Sequence, residues 1–185
     1  MSIKELSLNI LDIAKNSVKA GASQIGISIV EKDGIRTLTI RDNGCGMPQE
    51  FLSRVTDPFT TTRTTRSVGM GLPLLKLAAE QADGSMNIES SQGEDHGTTV
   101  TATFRIDHLD CEPVGDAAGT MVTLIQGNPE IDYEFLWETP EGEKHISTSE
   151  MRSILGDVPL DTPEVLLWIS ETLNGPFEPP EDPEQ

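Results

Sequence analysis

The sequence predicts an α+β protein, a two-layer α/β sandwich in which helices cover one face of a mostly antiparallel sheet. Three observations predict it. The apolar pattern runs helix, two strands, helix, two strands over the first hundred or so residues. Each strand pair is joined by a short turn or polar loop, so sequence neighbours pair as hairpins rather than through βαβ crossovers. The chain also lacks G-x-x-x-x-G-K-[ST]. With no alternating βαβ units, this argues against a Rossmann or Walker-type domain.

Each element follows from its spacing. Lys4 to Ala20 reads as a helix, because Leu6, Ile10, Ile13, Ala14 and Val18 recur at helical spacing and Gly21 can stop it. Gln24 to Val30 alternates, with Ile25, Ile27 and Ile29 on one face. Lys32-Asp33-Gly34 is a hairpin signal, and Ile35 to Arg41 alternates again. Gln49 to Val55 reads as a short helix. Asp57 to Ser67 has no apolar period and is rich in Thr and Arg, either a linker or a lid whose arginines meet phosphates. Leu72 to Ala82 is a helix with Leu74, Leu75, Leu77 and Ala78 on a broad apolar face. Ser85 to Ser91 and Thr98 to Ile106 read as strands, the second alternating Val100, Ala102, Phe104, Ile106.

Beyond residue 107 a Pro- and Gly-containing linker leads into a small C-terminal α+β extension, residues 108–177, with an acidic tail at 178–185. Thr120 to Gln126 reads as a strand paired with Ile131 to Trp137 across Gly127-Asn128-Pro129. Ser149 to Leu155 reads as a helix, with Ser149 as N-cap. A second is expected from Thr162 to Asn174, with Thr162 as N-cap, Pro163 at the first helical position and Gly175 as stop. The extension serves either as structural support or as a module that docks a partner.

Composition narrows the function. The 185 residues carry 13 Lys+Arg against 31 Asp+Glu, a formal net charge of −18. So acidic a chain does not suit nucleic acid or an anionic membrane surface. No apolar run approaches the length of a membrane-spanning helix, and the first residues lack a signal-peptide layout, so the expected location is cytoplasmic. Two cysteines, Cys45 and Cys111, make no disulfide framework, and His108 with Cys111 offers too few ligands for a metal.

One stretch, Ile40 to Leu74, concentrates the chemistry. At the end of a strand it places Asp42 in a turn rich in glycine (Asn43, Gly44, Gly46). A second glycine pair, Gly69 and Gly71, then opens a helix whose early Pro73 gives up only an unused N–H. Glycine lets backbone N–H groups come close to a ligand, and a helix N-terminus favours an anion. An acid at one end and a phosphate cradle at the other suit a nucleotide, with Asp42 accepting a hydrogen bond from an exocyclic amine. On the first helix Asp12 and Asn16 stand one turn apart. From that helix alone they read as part of its solvent face, although such a pair can also hold a divalent ion and a water.

Together these motifs resemble the GHKL superfamily of ATPases: histidine kinases, gyrase B, mismatch-repair proteins and heat-shock chaperones. The resemblance covers about Ile3 to Ile106 and implies the Bergerat-type ATP-binding fold. L-D-I-A-K-N-S-V-K-A-G-A looks like the family's Asn box. It implies that Asn16 is the magnesium ligand, and that Asp12 stands where many members carry a Glu general base. D-N-G-C-G-M looks like the adenine box, with Asp42 on the adenine amine and Gly44, Gly46 and Met47 around the base. D-P-F-T-T-T-R is similar to a lid motif, which places Phe59 and Arg63 in the lid. V-G-M-G-L-P-L resembles G-x-G-L-G-L, so Gly69, Gly71 and Leu72 would wrap the phosphates. G-T-T-V resembles the last box, in which Thr98 reaches the adenine through water.

The resemblance implies ATP and Mg2+ as cofactors, and phosphoryl transfer to a partner protein or hydrolysis. An alternative is an ATP-driven switch with little turnover. The chain departs from the pattern at Asp12, one methylene shorter than Glu, and at Pro73, which replaces a Gly. It is expected to stand alone, without the histidine kinases' phospho-accepting segment. None of His96, His108 or His145 lies in a helical context with a following acid.

Overall fold

A computed structural model describes residues 4–57 and 70–180. In chain order the elements are α1 (Leu6–Lys19), β1 (Gln24–Lys32), β2 (Ile35–Asp42), α2 (Gln49–Leu52), α3 (Gly71–Gln81), β3 (Met86–Ser91) and β4 (Gly97–Arg105). The second half adds α4 (Ala117–Gly127), β5 (Asp132–Thr139), β6 (Gly142–Ser147), α5 (Thr148–Leu155) and α6 (Pro163–Asn174). Six strands form one sheet in the order β3-β4-β2-β1-β5-β6. Every pair is antiparallel except β1 with β5. The helices contact one another in the sequence α3, α1, α4, α6, a layer over the sheet. The architecture is the expected α+β sandwich.

The period of two along the strands selects the buried face. Ile25, Ile27 and Ile29 of β1, Leu38 and Ile40 of β2, and Val100, Ala102 and Phe104 of β4 are buried together with Leu6, Ile10 and Ile13 of α1. The alternate positions Thr37, Thr39, Thr99, Thr101 and Thr103 are only partly buried. Asp33 and Gly34 turn β1 into β2 with φ of 53° and 76°, the two positive angles a two-residue hairpin needs.

Two expectations about connections change. Sequence neighbours do form hairpins, but α3 and α4 each link strands that run the same way: β2 with β3, and β4 with β5. A parallel return needs a crossover, and a helix supplies its length. The stretch Thr120 to Gln126 is not a strand but the body of α4. Its β-branched residues favour a strand locally, yet Ala117, Ala118, Met121, Leu124 and Ile125 are buried at helical spacing. Asp116 caps the helix by accepting a hydrogen bond from the Gly119 amide at 2.8 Å. β5 therefore pairs with β1 and with β6, a strand the sequence reading did not include.

The C-terminal residues thus lengthen both layers. The Leu6 and Ser7 amides donate to the Pro113 and Val114 carbonyls at 3.0 and 2.8 Å, and the Thr120 hydroxyl donates to the Ser7 carbonyl at 3.2 Å. Arg36, 8% exposed, pairs with Glu31 at 2.8 Å and donates to the Glu112 carbonyl at 2.8 Å, fixing the segment that leads into α4. In α6, Thr162, Pro163 and Gly175 take the expected cap, first and stop positions, although the Thr162 hydroxyl bonds the Pro159 carbonyl instead of capping the helix. In α5 the cap position belongs to Ser147, not Ser149.

Candidate functional site

The end of β2 delivers Asp42 into a turn held on every side. Ser17 of α1, 3% exposed, donates to Asp42 Oδ2 at 2.5 Å, and the Gly44 amide donates to Oδ1 at 2.9 Å. The Asn43 side chain accepts from the Ser23 and Gln24 amides at 2.8 and 2.9 Å. The Cys45 amide donates to the Ala20 carbonyl at 2.9 Å, and its exposed thiol, outside any disulfide, donates to the Gly46 carbonyl at 3.6 Å. Gly46 has φ +72°, and a Cβ there would lie 1.9 Å from the Ser91 carbonyl oxygen, so no other residue fits without movement. The Met47 amide donates to Ser90 Oγ at 2.8 Å, and the Ser90 and Thr98 hydroxyls are 2.7 Å apart. Thr98 stands opposite Asp42 in the β2–β4 register. Asp42 and Gly44 are thus joined directly, Met47 and Thr98 are joined through Ser90, and Gly46 packs against the Ser91 backbone beside them.

The second group lies further towards the N-terminus of α1. Asp12 is exposed and Asn16 half-buried, one turn apart. The Nδ2 end of the Asn16 amide is buried and has no hydrogen-bond partner among the described residues. α3 begins here. A Cβ on Gly71 would lie 3.0 Å from Asp12 Cβ and 3.2 Å from Ile13 Cγ1, so the α3 N-terminus is laid directly on α1. Met70 at the N-cap makes no side-chain cap bond, which leaves first-turn N–H groups of α3 without an intrahelical partner. Leu72 is 5% exposed and anchors that turn in the core. Phe59, Arg63 and Gly69 lie outside the described residues.

Three participants escaped the sequence reading: Ser17, Ser90 and His96. Ser17 carried a signal, since a Ser four residues beyond Ile13 on the buried stripe of α1 is a polar group needing a partner. Ser90 lies one strand over from Thr98 and is found only through register. His96, exposed in the β3–β4 loop, donates from Nδ1 to the Gly44 carbonyl at 2.7 Å, and nothing in its spacing announces it. A groove of about 800 Å³ opens beside this cluster, lined by Asp42, Asn43, His96, Gly97 and Thr98 and continuing to Asp132 and Glu134 of the extension. Asp12, Asn16 and Gly71 lie outside its lining.

A family model described as "Histidine kinase-, DNA gyrase B-, and HSP90-like ATPase" matches residues 2–108. The chain belongs to that family. The match takes in every candidate site residue. Among curated relatives, sporulation kinase C of Bacillus subtilis is 31% identical over 107 residues, covering 57% of this chain and 24% of the relative. The chain spans less than a fifth of the length of the first curated relatives it matches. Two solved structures are similar at low identity. The mycobacterial sensor histidine kinase MprB has 22% identity and TM-score 0.42, covering 52% of this chain and 66% of that one. The Aquifex aeolicus MutL ATPase domain complexed with ADP has 15% identity and TM-score 0.48, covering 75% and 61%. Among the described residues no helix is long and apolar enough to cross a membrane, and no group of three or more His, Cys, Asp or Glu is placed to hold a metal.

Proposed function

We propose that the chain binds Mg-ATP along α1 and uses it for phosphoryl transfer to a partner protein. One observation carries the reading: a single helix touches both ends of the candidate site. Ser17 meets the Asp42 carboxylate, and Asp12 meets the start of α3. At about 1.5 Å per residue these contacts are roughly 7.5 Å apart along the axis, a length that ribose and phosphates can bridge. Asp42 accepts a hydrogen bond from the adenine amine, with Thr98 and Met47 bordering the base. The N–H groups of Gly71 and Leu72 in the first turn of α3, together with the α3 dipole, meet the phosphates, with Gly69, Phe59 and Arg63 assigned to the same end by their motifs.

Asn16 fits a magnesium ligand. Its buried amide end has no partner among the described residues, and a half-turn of the amide presents the carbonyl oxygen there instead. A magnesium ion held there would supply positive charge to offset that of the phosphates. Asp12, exposed beside the α3 N-terminus, orients or deprotonates the attacking group. Electrostatic stabilisation of the phosphoryl oxygens is most of what this reaction asks of a protein.

A second reading has support of its own. Asp12 is exposed and short, and α1 is tied at its N-terminus to the C-terminal extension through Leu6, Ser7 and Thr120. A protein that turns ATP over slowly could report nucleotide through that helix to a partner on the extension. Incubation with magnesium and γ-labelled ATP distinguishes the two. Free phosphate, or label on an added partner, that disappears in Asp12→Asn supports transfer. Bound ATP with its label retained in every mixture overturns it and leaves the switch.

A further inference from the structure

Gly44 is the hinge of the turn that carries Asp42. Its N–H donates to Asp42 Oδ1 at 2.9 Å, and its carbonyl accepts from His96 Nδ1 at 2.7 Å. In the peptide that begins with that carbonyl, the Cys45 N–H donates to Ala20 at 2.9 Å. A glycine has no Cβ to restrict φ and ψ, so these ties set its orientation. A carbonyl only accepts, so the His96 proton lies on Nδ1. The loop that carries His96 has no slack: a Cβ on the adjacent Gly97 would come within 2.2 Å of the Asp42 carbonyl oxygen.

We infer that His96 is a positioning residue for base selection: by holding the Gly44 carbonyl it fixes the direction in which the Asp42 carboxylate presents its oxygens. This rests on the nucleotide reading above. Adenine offers an amine donor where guanine offers a carbonyl acceptor. A carboxylate held in place accepts from the first and repels the second, because an unmatched buried polar group costs more than a missing one. A carboxylate on a loosened turn swings aside, so the penalty against guanine falls as well as the affinity for adenine.

The test measures ADP and GDP binding by calorimetry without magnesium, which isolates the base from the metal, and records thermal unfolding alongside. The proteins are wild type, His96→Ala, His96→Phe and His96→Asn. Loss of one hydrogen bond predicts ADP binding weaker by about two- to tenfold in His96→Ala and His96→Phe, with a smaller ADP-to-GDP preference. His96→Asn, whose amide can donate from nearly the same place, restores both. His96 is exposed, so the variants are expected to fold. The inference is overturned by an unchanged preference in either folded non-donor variant, by equal losses for ADP and GDP, or by no recovery in His96→Asn. Wild-type protein that binds no ADP overturns the nucleotide reading itself, a result distinct from all of these.

Discussion

The two ends of the candidate site are built differently. Around Asp42 the polar groups answer one another: both carboxylate oxygens are bonded, Gly44 is tied through its N–H and its carbonyl, and Ser90 joins Met47 to Thr98. Around Asn16 the opposite holds. Its Nδ2 end is buried without a partner among the described residues, and α3 opens without a side-chain cap. Buried polar groups are normally satisfied, and folds accept exceptions where function requires them. On the proposed reading, the first end would be preorganised for a ligand group of fixed shape, and the second would keep its bonding capacity for groups that arrive with the ligand.

The largest expected effect breaks the preorganised end. In Asp42→Asn a charged acceptor becomes an amide that can turn a donor towards the adenine amine. Hydrogen bonds to charged groups contribute about 1.5–3 kcal/mol, so ADP affinity should fall by roughly ten- to a hundredfold. Calorimetry on protein with an intact thermal transition checks this, and equal affinity in the variant would remove Asp42 from the base site.

The next prediction sharpens the contrast, because it should separate stability from binding. Asn16→Leu replaces an unsatisfied amide by an apolar group of similar size. An unpaired buried polar group costs about 1–3 kcal/mol, so the nucleotide-free protein should be as stable as wild type or more so. The magnesium-dependent part of ATP affinity should vanish, while magnesium-free ADP binding changes little. A large fall in melting temperature would show that Asn16 supports the fold and is not held in reserve for a ligand.

How much of this was legible follows the same division. Helix α1, the β1–β2 hairpin, α3 and β4 are visible in the sequence because each has one buried face, and the period of that face writes itself into the order of residues. The glycines and Asp42 are visible because backbone geometry and charge admit few substitutes at those positions. Ser90 and His96 are not, since hydroxyl and imidazole groups serve anywhere on a surface and only strand register and a loop bring them to Thr98 and Gly44. The extension fails for a third reason. The run around Thr120 to Ile125 has strand-forming residues, but its neighbours α1 and α6 bury it as a helix, and tertiary contact outweighs local propensity. β6 is short and bounded by a Pro-Glu turn and α5, with no alternation clean enough to mark it.

The smallest expected effect asks whether the extension merely supports the site. Thr120 donates to the Ser7 carbonyl near the start of α1. Thr120→Val keeps the shape and removes that bond, a loss of about 1 kcal/mol, or roughly 2–4 °C in melting temperature for a chain of this size. Ser7 is about 15 Å along the helix axis from Ser17, and the Asp42 turn is held by its own contacts. ADP affinity should therefore stay within about twofold while stability falls. The nearer end should be the more sensitive one: Asp12 lies about 7.5 Å along the axis from Ser7, beside the N-terminus of α3. If magnesium-ATP affinity moves several-fold in Thr120→Val while ADP affinity does not, α1 is coupling the extension to the phosphate end alone. The switch reading then gains over simple support, because only the proposed phosphate end would sense the extension.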